Sequence, residues 1–186
     1  MCGVMDTVST PQIRRTLERH PVHRGPSITS VRTNVSRDSD GFRVAFEFAG
    51  ALEHLALPQA PLDPARLWEH TCAELFVACE DGRYVEWNFS PTGQSTRFEF
   101  SAYRVRTSAS FDEGVEVSIE WQDDLVRLVA TGPRLRAIEH AANVGISAVA
   151  RAPDDACSYW ALHHPKPEPD FHDARGFVLD ARGLSG

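Results

Sequence analysis

Leu67-Trp68-Glu69-His70-Thr71-Cys72-Ala73-Glu74-Leu75-Phe76-Val77-Ala78-Cys79 and, past Glu80-Asp81-Gly82-Arg83, Tyr84-Val85-Glu86-Trp87-Asn88-Phe89-Ser90-Pro91 form the stretch whose reading decides the fold. Both halves alternate with period two, the signature of half-buried strands. Ala73, Leu75, Val77 and Cys79 share one face, and His70, Cys72, Glu74 and Phe76 share the other. Val85, Trp87 and Phe89 form an apolar row, against a polar row of Tyr84, Glu86, Asn88 and Ser90. The Asp81-Gly82 pair is a hairpin turn signal, so the two strands are expected to pair and bring their polar rows together on one sheet face.

The same rhythm continues outward. Ser27 to Ser36 alternates moderately. After the turn signal Arg37-Asp38-Ser39-Asp40-Gly41, Phe42, Val44, Phe46 and Phe48 face one way. Gly50 to Pro64 is a proline-bearing loop that delivers the chain to Trp68. Arg97 to Arg104 is a third meander strand, in which Phe98, Phe100 and Ala102 read as an apolar row and Arg97 and Glu99 join the polar face of Glu74, Glu86 and Asn88. Val115 to Trp121 and Leu125 to Thr131 make a second hairpin, and Trp121 falls in its apolar row. Asn143 to Arg151, Cys157 to Leu162 and Phe177 to Leu179 complete about nine strands, the number and spacing of an antiparallel β-sandwich or jelly roll. Little helix is expected. Pro11 to Glu18 spaces Ile13 and Leu17 for a helical turn, and a short helical connection is expected from Arg134 to Glu139. Residues 1 to 10 read as a flexible tail and 11 to 186 as one domain.

Apolar residues at 42% and charged residues at 24% are ordinary globular values. A net charge of -7 excludes nucleic acid and anionic membrane as expected partners, since both require a clustered basic surface. The N-terminus lacks a basic region followed by an apolar run, and no window reaches membrane-spanning length, so a cytoplasmic location is expected. Cys2, Cys72, Cys79 and Cys157 match neither a zinc knuckle nor a redox pair. Cys72 and Cys79 point to opposite faces of one strand and cannot bridge, so free thiols are expected.

The polar sheet face is the candidate working surface. Carboxylate, amide and imidazole groups hydrogen-bond hydroxyls, and indole and phenol rings cover the apolar side of a sugar ring. The candidate ligand-binding residues are therefore Trp68, His70, Glu74, Glu86, Asn88, Glu99 and Trp160. A non-catalytic site for a saccharide or similar polyhydroxylated small molecule is the first reading. A sugar-active enzyme using two of Glu74, Glu86 and Glu99 is the alternative, because a retaining glycosidase needs two carboxylates about 5 Å apart. No Gly-x-Ser-x-Gly elbow supports acyl transfer. His163-His164 and His172 lack a His-Glu-x-x-His arrangement, and adjacent strand histidines face opposite ways. Asp123-Asp124 and Asp154-Asp155 are oxygen-rich turns open to calcium, but they do not match the EF-hand pattern. No metal site and no cofactor are expected.

Leu67 to Phe76, Glu86-Trp87-Asn88-Phe89-Ser90-Pro91-Thr92-Gly93, Tyr159-Trp160-Ala161-Leu162-His163-His164-Pro165 and Pro169-Asp170-Phe171-His172 together resemble the bacterial DOMON-like proteins related to family nine carbohydrate-binding modules. The matching pieces span about Arg14 to Leu179. Ala73 stands where that family has an aromatic residue after the Thr-Cys pair. The resemblance implies an antiparallel β-sandwich with sugar or haem as ligand classes. Its haem branch uses Met and His axial ligands, whereas the methionines here are Met1 and Met5. Its sugar binders clamp a saccharide end between two Trp residues, parts for which Trp68 and Trp160 are the candidates.

Overall fold

The computed structural model describes residues 12–22, 25, 27–37, 41–111, 114–133 and 141–184. The expected N-terminal tail and the helical connection from Arg134 to Glu139 lie outside the described residues. Two antiparallel sheets face one another, as the alternation predicts. One sheet runs in the order β1 (Gln12–Thr16), β3 (Ile28–Arg37), β4 (Gly41–Gly50), β10 (Leu125–Pro133) and β9 (Glu116–Gln122). The other runs β2 (Glu18–Arg19), β12 (Cys157–Ala161), β11 (Ala141–Arg151), β5 (Cys72–Cys79), β6 (Tyr84–Phe89), β7 (Ser95–Ala102) and β8 (Val105–Phe111), with β13 (Leu179–Asp180) paired to β11. No helix among the described residues is long and apolar enough to cross a membrane.

The rows facing inward make the core. Val44, Phe46 and Phe48 of β4 and Val126, Leu128 and Ala130 of β10 meet Leu75 and Val77 of β5, Trp87 and Phe89 of β6, and Ile146 and Ala148 of β11. The central hairpin forms as its alternation requires. Cys79 N–H donates to the Arg83 carbonyl at 2.8 Å, and Gly82 takes the positive φ of 85° that its turn demands. Register aligns Glu74 with Asn88 and Phe76 with Glu86.

Several expectations are corrected. Residues 12–16 form strand β1 on Thr33 and its neighbours rather than a helical turn; pairing with β3 overrides the four-residue spacing of Ile13 and Leu17. The stretch from Leu67 is not strand throughout. Pro64–Glu69 is a 3₁₀ turn whose start is capped by the Asp63 side chain accepting from Ala65 N–H, and extended pairing begins only at Cys72. Trp121, expected in the core, is 60% exposed on edge strand β9. A strand absent from the sequence reading, β8, pairs with β7 and ends the second sheet.

Candidate functional site

On the outer face of the second sheet, two regions divide the surface. Phe76, Tyr84, Phe98, Phe100 and Phe177 form a second apolar cluster, with Phe171 packed against it. The segment after β12 supplies Phe171, His172 and Phe177 and so straps over β5 and β6. Gly145 makes this possible: a Cβ there would lie 2.2 Å from Cδ1 of Phe177, so only glycine lets the ring rest on the strand. Phe177 then stacks on Phe76 with ring centroids 5.3 Å apart. The strap, not the Gly50 to Pro64 loop, is what covers this face. That loop instead ties to the end of β11, where Ala56 N–H donates to the Arg151 carbonyl at 2.7 Å.

Beside the strap the face opens into a cleft of about 820 Å³. Glu74 and Glu86 lie at its floor, 3% and 4% exposed. Glu74 Oε2 accepts from the Ser147 hydroxyl at 2.7 Å, and Glu86 Oε1 accepts from Asn88 Nδ2 at 2.5 Å. Asn88 in turn lies 3.5 Å from the Cys72 thiol through Oδ1, so it braces Glu86 from within the sheet and does not line the cleft. Burial raises the pKa of both carboxyls far above the ordinary range, and for Glu74 the charge of Glu86 adds to the rise. The charge of one carboxyl acts on the other, so the two titrate together rather than independently.

His172 closes one side. The Tyr84 hydroxyl accepts from the Arg104 backbone N–H at 3.0 Å and lies 2.8 Å from Nδ1 of His172. The other ring nitrogen, Nε2, faces Glu86 Oε2 at 3.7 Å. Burial, followed by the Arg104 charge, lowers the His172 pKa to about 4. Behind it Asp170 receives Tyr103 at 2.6 Å, Lys166 at 2.5 Å and Arg104 at 3.0 Å. Burial alone would raise Asp170, but these donors hold it down at about 2.

The walls are aromatic and basic. Phe98, Phe100, Tyr159, Phe171 and Trp68 supply rings; Arg104, Arg106 and Arg151 supply guanidiniums. Trp68, 49% exposed, stands at the margin on the 3₁₀ turn. Arg151 fixes that margin by donating to the Glu69 carbonyl and by pairing with Asp155 at 2.8 Å.

Of the residues singled out from sequence, Trp68, Glu74 and Glu86 meet at the cleft, and Asn88 supports it. His70 does not reach it: it ends the 3₁₀ turn, its N–H bonded to the Leu67 carbonyl at 3.1 Å, and it belongs to no strand row. Glu99 is on the opposite face. The register pairs Glu86 with Phe98 and Trp87 with Arg97, so the apolar row of β7 faces the cleft and Arg97 and Glu99 close the edge of the core. There Arg97 pairs with Glu99 and lies 5.7 Å over the Trp87 ring. Trp160 is 4% exposed within the core, its indole N–H donating to Ser158 at 2.9 Å, so it cannot form the second half of a Trp clamp. Sequence reading missed Phe98, Phe100, Arg104, Arg106, Arg151 and Tyr159 as site residues. The alternation of β7 marked two rows, but only the pairing register tells which row faces outward.

Among the described residues no methionine stands at the cleft to ligate a haem with His172. Met1 and Met5 fall outside the described residues, and His172 has Nδ1 engaged by Tyr84 and Nε2 turned to Glu86. Among the described residues no three His, Cys, Asp or Glu side chains are grouped to hold a metal ion. The Asp154-Asp155 turn is closed by its own chain, with Asp154 accepting from Ala156 N–H at 3.2 Å and Asp155 pairing with Arg151.

No family model and no curated protein matches the chain. Solved structures do. A protein from Bacteroides uniformis ATCC 8492 described as a putative carbohydrate-binding protein superposes with a TM-score of 0.57 at 15% identity, covering 87% of this chain and 84% of that one. A carbohydrate binding module of family 9 from Caldicellulosiruptor kristjanssonii, in complex with cellotriose, gives a TM-score of 0.42 at 12% identity, covering 78% and 72%. At such identities the first likeness speaks to the fold alone, an antiparallel β-sandwich.

Proposed function

We propose that the cleft binds a saccharide or similar polyhydroxylated small molecule. The observation that carries this reading is an exposed indole, Trp68, at the rim above a buried, hydrogen-bonding floor of Glu74 and Glu86. An indole face covers the apolar side of a pyranose. Carboxyl groups that hold protons near neutrality both donate to and accept from hydroxyls. The fold shared with the Bacteroides protein supports the same ligand class. Calorimetry against mono- and oligosaccharides tests it. Binding is expected, and Trp68→Ala is expected to weaken it about tenfold, the worth of one aromatic contact. Silence across the panel, or binding that ignores Trp68, would overturn the reading.

A second reading, hydrolysis of a glycosidic bond, draws on the raised carboxyl pKa values, which suit a general acid near neutral pH. It expects release of reducing sugar from an oligosaccharide that Glu74→Gln or Glu86→Gln abolishes. Intact oligosaccharide after prolonged incubation removes it.

A further inference from the structure

The floor of the cleft holds acid groups with which no Lys or Arg among the described residues forms an ion pair. Glu74 is buried, one oxygen taken by Ser147, and its other oxygen makes no hydrogen bond among the described residues. Glu86 Oε2 meets only the ring of His172, at 3.7 Å, beyond hydrogen-bond length. Buried carboxylates are ordinarily paired with a cation. Of the guanidiniums on the walls, Arg104 pairs with Asp170 at 3.0 Å, Arg151 pairs with Asp155 at 2.8 Å, and Arg106 lies over the Phe98 ring at 5.1 Å; the charges of Arg104 and Arg106 reach the acid pair only through space. The rings of Phe98, Phe100, Tyr159 and Phe171 line the same cleft, with Arg106 over Phe98 and Phe100 stacked on Tyr84.

We infer that the ligand of this cleft carries a primary ammonium group received by Glu74 and Glu86: an amino sugar or a similarly hydroxylated ring amine. The inference rests on the sugar-site reading above and names the feature that selects among sugars. Two of the three N–H donors on one ammonium match the two carboxyl oxygens left without close partners. A positive charge within about 4–6 Å favours the ionised carboxylates, so binding releases to solvent the proton that the empty pair retains. N-acetylation removes the charge and with it the preference. Affinity for the amine rises with pH as the pair ionises, then falls as the amine loses its own proton, near 7.7–8.0 if it titrates like an α-amino group. Other groups facing the pair are constant over that range. Arg104 and Arg106 keep their charges and oppose the ammonium, His172 stays neutral, and burial holds the Cys72 thiol and the Tyr84 phenol protonated. Glu69, Asp155 and Arg151 stand at the rim.

The test is calorimetry on the full chain with glucose, glucosamine, N-acetylglucosamine and cyclohexylammonium, from pH 5 to 9 and in buffers of different ionisation enthalpy. Glucosamine is expected to bind on the order of tenfold to a hundredfold more tightly than glucose or N-acetylglucosamine, the range of a hydrogen bond to a charged partner. Its binding should release protons and peak between the two titrations, and in Glu74→Gln the glucosamine-to-glucose affinity ratio should collapse toward one. Glucose binding with no preference for glucosamine leaves the sugar reading standing and overturns the ammonium inference. Proton-releasing binding of cyclohexylammonium with silence from every sugar, glucosamine included, overturns the sugar reading and the amino-sugar inference with it. Because proton release and the pH profile are read on the unaltered protein, the inference falls on them even if Glu74→Gln does not fold.

Discussion

The two faces of one sheet were built by the same chain segments to opposite ends. On the inner face of β5, β6 and β11, Leu75, Trp87 and Ile146 pack into a continuous core. On the outer face, one residue along in each strand, Glu74, Glu86 and Ser147 form a polar floor that is nearly as deeply buried. The inner face is buried by a second sheet. The outer one is buried by a strap of Phe171, His172 and Phe177 that stops short and leaves a cleft. Burial by itself therefore does not distinguish structure from function; burial of unneutralised polar groups does.

Substitution on the inner face should have the largest effect. Trp87→Ala removes a fully buried indole and is expected to cost about 3–5 kcal/mol in denaturant unfolding. A loss under about 1 kcal/mol would mean that the two faces are not so different. On the strap, Gly145→Ala drives a Cβ into Phe177 and is expected to cost about 1–3 kcal/mol, with Phe177 becoming accessible to solvent.

The acid pair makes the contrast depend on pH. Both carboxyls have folded pKa values raised above the unfolded value of about 4.3. The folded state thus binds more protons than the unfolded one, and the stability these groups contribute is full below that value and is lost as pH rises through the raised ones. His172, lowered to about 4, has the opposite slope between there and its unfolded value. Comparing Glu74→Gln with the parent cancels the histidine. The variant is expected to be more stable than the parent by at least about 1 kcal/mol at pH 8, with the gap closing toward pH 4. A gap that is flat with pH would show that Glu74 is ionised without cost. Trp121, exposed on β9, gives the smallest effect: Trp121→Ala should change stability by no more than about 0.5 kcal/mol.

How much of this was legible in the sequence follows from what alternation encodes. It located β5, β6, β10 and β11 and sorted Trp87 into the core, because period two assigns faces within a strand. It failed for Trp121, which keeps its phase on an edge strand, where the inward row runs out of facing neighbours. It failed for Glu99 because the face of one strand relative to the next depends on register, and the pairing of Glu86 with Phe98 reversed the expected rows of β7. His70 was lost to a proline: Pro64 at the start of the 3₁₀ turn ends the strand pattern before it begins. Glu74 and Glu86, conspicuous as acidic side chains in otherwise apolar strands, do line the cleft. The strap was not legible, since its proline-rich segment has no periodicity and is held by long-range contacts such as Phe177 on Gly145 and His172 on Tyr84.

The most direct test uses the four indole N–H resonances as reporters, since Trp68 stands at the cleft, Trp87 and Trp160 in the core, and Trp121 on an edge strand of the other sheet. On titration with a saccharide that binds, the Trp68 signal is expected to shift in saturable fashion while that of Trp121 stays fixed and those of Trp87 and Trp160 move little. A saturable shift at Trp121 with Trp68 unmoved would contradict the account and put the binding face on the other sheet.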